Sequence, residues 1–388
     1  MDLSVIIVNY NVKHYLEQCL RSVLRASEKL NVEIIVVDNN SKDGSQAMVE
    51  ATFGDQVTLI DNDDNPGFSK ANNQGIAIAK GKYVLLLNPD TVVAEDTFDT
   101  CFAFMEAKPK AGGLGVRMID GNGKFLPESK RGLPTPAVAF YKIFGLARIF
   151  PKNKRFGKYH LSYLSEHETH EIDVLSGAYM WMRKSMLDEV GGLDETFFMY
   201  GEDIDLSYRI QLGGFKNYYL PDARIIHYKG ESTKKGSLNY VRVFYQAMII
   251  FAKKHFQGGT QLFSLLIRFA VYVRALLAIL RRIAQRLALP VLEGGLIYGL
   301  MFGIKEYWEH YVKFIEGGAE YPDLFSFGYM PAYAIIFVLC LWLAGAYRKP
   351  FRIKPIILAP VAAFILIATI TYVFPFVLNF SRAIVGLS

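Results

Sequence analysis

The sequence predicts an α/β domain built on a mostly parallel central sheet, followed by an α-helical membrane region. Three observations carry that prediction. Short β-branched runs alternate with helix-period segments over the first hundred residues. Hydrophobic residues make up 52% of the chain, above the soluble range, so membrane segments are expected. The charge is divided unevenly: residues 260–388 hold twelve Lys/Arg against six Asp/Glu, whereas residues 1–259 balance at 31 each, so the whole net charge of +6 belongs to the apolar tail. Basic residues beside apolar segments point to an anionic cytoplasmic leaflet, not to nucleic acid.

Taken in order, "SVIIVNY" reads as a strand and "HYLEQCLRSVLRAS" as a helix, with Leu16, Leu20, Val23 and Leu24 at helical spacing. "VEIIVVDNNS", "VTLIDND" and "YVLLLNPD" read as further strands, separated by the helices "GSQAMVEATF" and "FSKANNQGIAIAKG". Continuous apolar strands between helices imply a parallel sheet covered on both faces. Ligands of such sheets sit at the carboxyl ends of strands. Those ends here are polar: Asn9-Tyr10-Asn11, Asp38-Asn39-Asn40 and Asn88-Pro89-Asp90. Residues 129–170 break the pattern with a basic, aromatic loop. Order returns with "EIDVLSGAYMWMRKSMLDEVGGLDE", a helix from about Asp203 and the strand "NYYLPDARIIHY". The first strand runs into "NYNVKHYL" without a GxGxxG turn, which excludes a dinucleotide-binding dehydrogenase.

The expected division is a catalytic domain over 1–259 and a membrane-associated helical region over 260–388. In the latter, about 262–286 reads as a surface helix, because arginines interrupt its apolar face. Spans are expected at about 288–304, 331–347 and 355–378. The intervening "RKPFRIK" has four basic residues in seven and is expected on the cytoplasmic side, with the catalytic domain. Four spans, the alternative, would put Arg281, Arg282 and Arg286 outside. Cys19, Cys101 and Cys340 form no CxxC pair, which fits a reducing compartment, and "MDLSVIIVNYN" lacks the basic start of a signal peptide.

Four features could carry chemistry. Asp38, ending an apolar strand, either accepts a hydrogen bond from a nucleobase imide or caps a turn. Asn88 and Asp90 in "LLLNPD" either aim oxygens at Mg²⁺ or Mn²⁺ or close an ordinary Asn-Pro-Asp turn. "FFMYGEDIDLSYR" places Glu202, Asp203 and Asp205 at a helix start whose partial positive charge, with Arg209 one to two turns on, offsets their repulsion. An acid there can take a proton from a hydroxyl. Glu202 and Asp205 would cap backbone or hold an acceptor. His227 closes "ARIIHY" and is either a metal ligand or a structural histidine; the following lysines, Lys229, Lys234 and Lys235, either close over phosphates or are solvated.

As an ordered series, "SVIIVNYN", "VVDNNSKDGS", "NPGFSKANNQGI", "LLLNPD", "SGAYMWMRK", "GGLDETFFMYGEDIDLSYRIQLGGF" and "PDARIIHYKG" resemble the family 2 glycosyltransferases, inverting enzymes with the GT-A fold. The resemblance covers roughly Asp2 to Phe256 and is nearest to bacterial rhamnosyl- and galactofuranosyltransferase-like enzymes. It implies a nucleotide-sugar donor, a Mn²⁺ or Mg²⁺ cofactor and a lipid-linked glycan acceptor at the bacterial inner membrane. Asp203 would be the catalytic base, Asp90 and His227 metal ligands, and Val8, Asn9, Tyr10, Asp38, Asn65, Gly67, Asn72 and Asn88 the nucleotide-sugar contacts. Asn88 departs from the family's Asp-x-Asp pattern. No tryptophan follows an arginine, so the Gln-x-x-Arg-Trp segment of the processive branch is missing and single-sugar transfer is expected. The other readings are transfer directly to polyprenyl phosphate and a non-catalytic membrane scaffold with a degenerate nucleotide-binding domain.

Overall fold

The computed structural model describes residues 1–228, 238–255, 260–313, 320–347 and 353–373. Two compact units emerge, Met1–Tyr272 and Val273–Ser388.

The first unit opens with β1 (Leu3–Asn9), α1 (Lys13–Ala26), β2 (Val32–Asp38), α2 (Ser45–Phe53), β3 (Thr58–Asp61), α3 (Phe68–Ile78) and β4 (Tyr83–Leu87). β1 pairs in parallel with both β2 and β4, and β2 with β3. Strand alternation sends Val5 and Ile7 to one face, against Leu16, Leu20 and Phe98, and Ile6 and Val8 to the other, against Ala71, Met186 and Leu206. Each such side chain, buried completely, contributes roughly 1.5–3 kcal/mol. The unbroken apolar run of β1 therefore reflects two covered faces.

After β4 the chain forms β5 (Thr91–Val93), α4 (Thr97–Ala107), β6 (Ala111–Ile119), the short helices α5 (Pro136–Ile143) and α6 (Leu146–Ile149), then β7 (His170–Ile172), β8 (Tyr179–Arg183), α7 (Lys184–Val190), α8 (Glu202–Leu212), β9 (Lys216–His227) and α9 (Leu238–His255). The sheet order is β3-β2-β1-β4-β8-β6-β9-β5, with β7 on β9. The parallel half is as the sequence predicts. Beyond β4 the sheet turns mixed, because β8 enters antiparallel between β4 and β6. Only Asn88, Pro89 and Asp90 join β4 to β5, a reach of about 10 Å, yet β5 pairs at the far end of the sheet with β9. The sheet must curl to allow this. A half-barrel results, and the curl brings the Asn88–Asp90 turn to the end of β9.

The second unit is helical, with α11 (Met330–Leu343) and α12 (Ile353–Val373) following α10 (Thr260–Trp308). Among the described residues, three helices are long and apolar enough to cross a membrane, with candidate spans Ile279–Val312, Phe325–Leu343 and Ile353–Ile370. The stretches read as a surface helix and a first span are one continuous helix, which Pro290 does not end. Much of "RKPFRIK", and residues 374–378 of the last expected span, lie outside the described residues, as does the Lys229–Lys235 loop.

Candidate active site

A cleft of about 280 Å³ opens at the carboxyl ends of β1, β2 and β4, a size suited to a small molecule. Val8 and Tyr10 come from β1 and its exit, Asn39 from the end of β2, and Asn65, Gly67 and Phe68 from the entry to α3. The β4–β5 turn contributes Asn88, Pro89 and Asp90, and the end of β9 contributes His227. Ser176 and Gly177 precede β8, while Phe198, Met199, Tyr200, Glu202 and Asp203 lead into α8. Asp90, Asp203 and His227, remote in sequence, therefore line one cavity.

Thr91 pairs with His227 across β5 and β9. In consequence His227 Nε2 lies 3.3 Å from Asp90 Oδ1, both residues being buried. His227 Nδ1 has no hydrogen-bond partner among the described residues. One carboxylate and one imidazole suit a divalent ion that draws its remaining ligands from phosphate oxygens and water, as Mg²⁺ commonly does. Asn88, half-buried in the same turn, offers an amide.

α8 begins by an unusual backbone path. Tyr200 has φ 68° and Gly201 φ 90°. A left-handed tyrosine costs about 1–3 kcal/mol, and such strain gathers at functional sites. Asp203 Oδ2 accepts from Gly177 N at 3.2 Å and from Arg131 Nη2, while the same guanidinium nitrogen donates to Leu175 O. Arg131 and Asp203 are almost wholly buried, so this pair is little screened. Glu202 is buried with Oε2 unpartnered among the described residues. Burial, and secondarily the Asp203 charge, push its carboxyl up to about 8, so it is protonated at neutral pH.

Several expected residues sit behind the cleft wall. Asp38 is fully buried and accepts from Asn9 Nδ2 at 2.6 Å, Ser41 N at 2.7 Å and Gln46 Nε2 at 2.8 Å. Its neighbour Asn39 reaches the cleft instead, donating to Asn65 Oδ1 and accepting from Asn62. Asn72 back-bonds to Phe68 O from within α3. Asp205 faces the opposite way, into a cluster with Arg209 Nε at 2.8 Å, His255 Nε2 at 2.6 Å and Lys254 Nζ at 2.9 Å. Of the three crowded acids, Glu202 and Asp203 thus share the cleft while Asp205 is paired away from it. Of the aromatics, Phe197 is core while Phe198 and Tyr200 line the cavity. Sequence reasoning placed Asn39 at a polar strand end without giving it a contact of its own, and it gave no role to Arg131, Ser176 or Gly177.

Residues 4–191 match the profile described as Glycosyl transferase family 2. This stretch is a family 2 glycosyltransferase domain. The match ends before Asp203 and His227, so their assignment rests on the cleft. The whole chain is 28% identical over 268 residues to an N-acetylglucosaminyl-diphospho-decaprenol L-rhamnosyltransferase of Mycobacterium tuberculosis (strain CDC 1551 / Oshkosh), covering 66% of this chain and 85% of that one. It is 30% identical over 172 residues to rhamnosyltransferase WbbL of Escherichia coli (strain K12), covering 42% and 61%. The structure of S. aureus TarS 1–349 is also similar, at a TM-score of 0.45 and 21% identity over 65% of each chain, under two thirds of either.

Proposed function

We propose that this chain is an inverting, metal-dependent and non-processive glycosyltransferase that moves one sugar from a UDP- or dTDP-sugar to a lipid-linked glycan acceptor at a membrane. The observation that carries the reading is the convergence of Asp90, His227 and Asp203 on one cleft. The rhamnosyltransferase relatives support the acceptor class, since one is named for a diphospho-decaprenol substrate. The candidate spans support the membrane location.

In this reading Asn39, Asn65 and the backbone at Gly67 hold the nucleotide, and Asp38 shapes the turn beneath it through Asn9 and Ser41. Asp203 takes the proton of the acceptor hydroxyl as that oxygen bonds to the anomeric carbon. The bond from that carbon to the diphosphate oxygen breaks on the opposite face, its electron pair leaving with the nucleotide, so the stereocentre inverts. Asp90 and His227 would hold a divalent ion, which when bound would supply charge neutralisation for the diphosphate. Arg131 and Gly177 N orient the Asp203 carboxylate towards the hydroxyl. Glu202, neutral, donates a hydrogen bond into the cavity without adding a second negative charge.

The test is Asp203→Asn, assayed with a panel of nucleotide sugars and lipid-linked acceptors. Transfer is expected to vanish while nucleotide-sugar affinity stays within a few-fold of the parent. Near-normal turnover would remove Asp203 from its role.

A further inference from the structure

Outside the cleft, the first unit carries one surface with no assigned purpose. Between Lys130 and Ser165 the chain has eight Lys/Arg and no Asp or Glu. Lys130 is buried and Arg131 holds Asp203, but Arg148, Lys152, Lys154, Arg155 and Lys158 are exposed. Among them stand Phe140, Phe144, Ile149 and Phe150, all exposed. Among the described side chains, nine large apolar ones are exposed between residues 1 and 228, and these four fall within eleven residues. That concentration is a patch, not ordinary scatter.

The patch is ordered. Phe140 and Phe144 stack at 4.4 Å, Tyr141 meets Phe156 edge-on at 4.9 Å, and Arg155 Nε donates to Tyr141 Oη at 2.8 Å. It is also joined to the reaction centre. Lys142 sits 3.2 Å from the centroid of Tyr159, Gly132 N donates to Tyr159 O at 3.0 Å, and the adjoining Arg131 bonds Asp203.

We propose that residues 136–156 form a lobe that docks on an anionic bilayer surface, its rings entering the headgroup–acyl boundary and its cations remaining at the lipid phosphates. Charge decides the occupant. A nucleic acid would match the cations but give Phe144, Ile149 and Phe150 nothing apolar to enter. An anionic bilayer satisfies both sets. Docking would hold Arg131, and through it Asp203, at the depth where a lipid-linked acceptor presents its headgroup. This part rests on the membrane reading given above.

The full chain, carrying Phe144→Cys in a Cys340→Ser background and labelled with an environment-sensitive fluorophore, is reconstituted in nanodiscs of phosphatidylcholine alone or mixed equally with phosphatidylglycerol. Blue-shifted emission and protection from aqueous quencher are expected, stronger with phosphatidylglycerol and weakened by salt. Reversing Arg148, Lys152 and Lys154 to Glu is expected to lower occupancy of the anionic disc by roughly fivefold per charge. A disc-bound chain whose probe stays water-exposed in both lipids overturns the lobe alone. Equal protection in both lipids overturns the anionic-lipid assignment and points to a protein contact. A chain that does not remain with the discs overturns the membrane reading as well.

Discussion

His227 Nε2 stands 3.3 Å from Asp90 Oδ1 because β5, three residues long, carries Thr91 to the end of β9. The site is thus produced by sheet curl, with each partner fixed by backbone pairing and not by a flexible loop. If the pair holds a divalent ion, losing either ligand must weaken metal use before it weakens folding. His227→Asn is expected to raise the Mn²⁺ concentration for half-maximal activity by roughly 10–100-fold, with little change in melting temperature. Titration of transfer against Mn²⁺ checks this. An unchanged metal requirement would make His227 structural.

Arg131 bonds both Asp203 and Leu175 O through one guanidinium nitrogen. An ammonium in its place keeps the charge but not the fixed planar fork. For Arg131→Lys, kcat should fall about 10–100-fold, or roughly 1.4–2.7 kcal/mol of barrier, with KM for the nucleotide sugar nearly constant. A rise in KM at constant kcat would instead put Arg131 on the donor.

Glu202 predicts a pH dependence of stability. Its carboxyl is raised from an ordinary 4.5 to about 8 by burial and by Asp203, so the folded chain binds this proton more tightly than the unfolded chain. The contribution is complete below pH 4.5 and lost as pH rises through about 8. Melting temperature should therefore fall across that window, and Glu202→Gln should flatten the slope. Parallel melting curves for the two proteins at pH 6 and pH 9 would refute it.

Much of this was readable before the fold was known. The parallel strands β1, β2 and β4 announce themselves because both faces are covered and each carries an unbroken apolar run of at least four residues. Asp90, Asp203 and His227 lie at element ends, where polar residues after apolar runs are conspicuous. β6 escapes, since three glycines in "AGGLGVRMI" dilute its apolar run. Arg131 escapes for a different reason. It lies 72 residues from Asp203, in a basic loop where one arginine looks like any other, and only tertiary contact distinguishes it. Asp38 and Asn39 differ by one position, and strand alternation decides which reaches the cleft. The acid was the chemically attractive choice, but its oxygens already bind Asn9, Ser41 and Gln46.

Asp205 supports the site from behind. Arg209, His255 and Lys254 converge on a fully buried carboxylate and tie α8 to α9. Although burial opposes it, hydrogen bonds from His255, Lys254 and Arg209 hold the Asp205 carboxyl below the usual range. Its stabilisation is thus present at neutral pH and fades as pH falls through that lowered value. Asp205→Asn removes the counter-charge of Arg209 and one of the two carboxylates that pair with Lys254. Allowing for the partial exposure of Lys254, the loss is about 2–3 kcal/mol, or roughly 4–10 °C in detergent-phase melting. A shift under 1 °C would show that the cluster adds nothing net.

Gly67 sets the width of the cleft. It adopts φ +93°, and a Cβ there would lie 2.8 Å from Phe198 O and 2.7 Å from that ring. Phe198 O also accepts from Phe68 N at 2.8 Å, so any retreat pulls the α3 entry away from the α8 entry. Gly67→Ala is expected to raise KM for the nucleotide sugar about 10-fold, since Asn65, Gly67 and Phe198 line the same wall. Strain from a left-handed alanine must be separated from the clash. Gly54 provides that control, with φ +45° and nothing within 4 Å of its Cβ position. Gly54→Ala should lower melting temperature by a few degrees through strain while leaving KM intact. Equal KM changes in the two variants would mean that the contact with Phe198 does not shape the donor site.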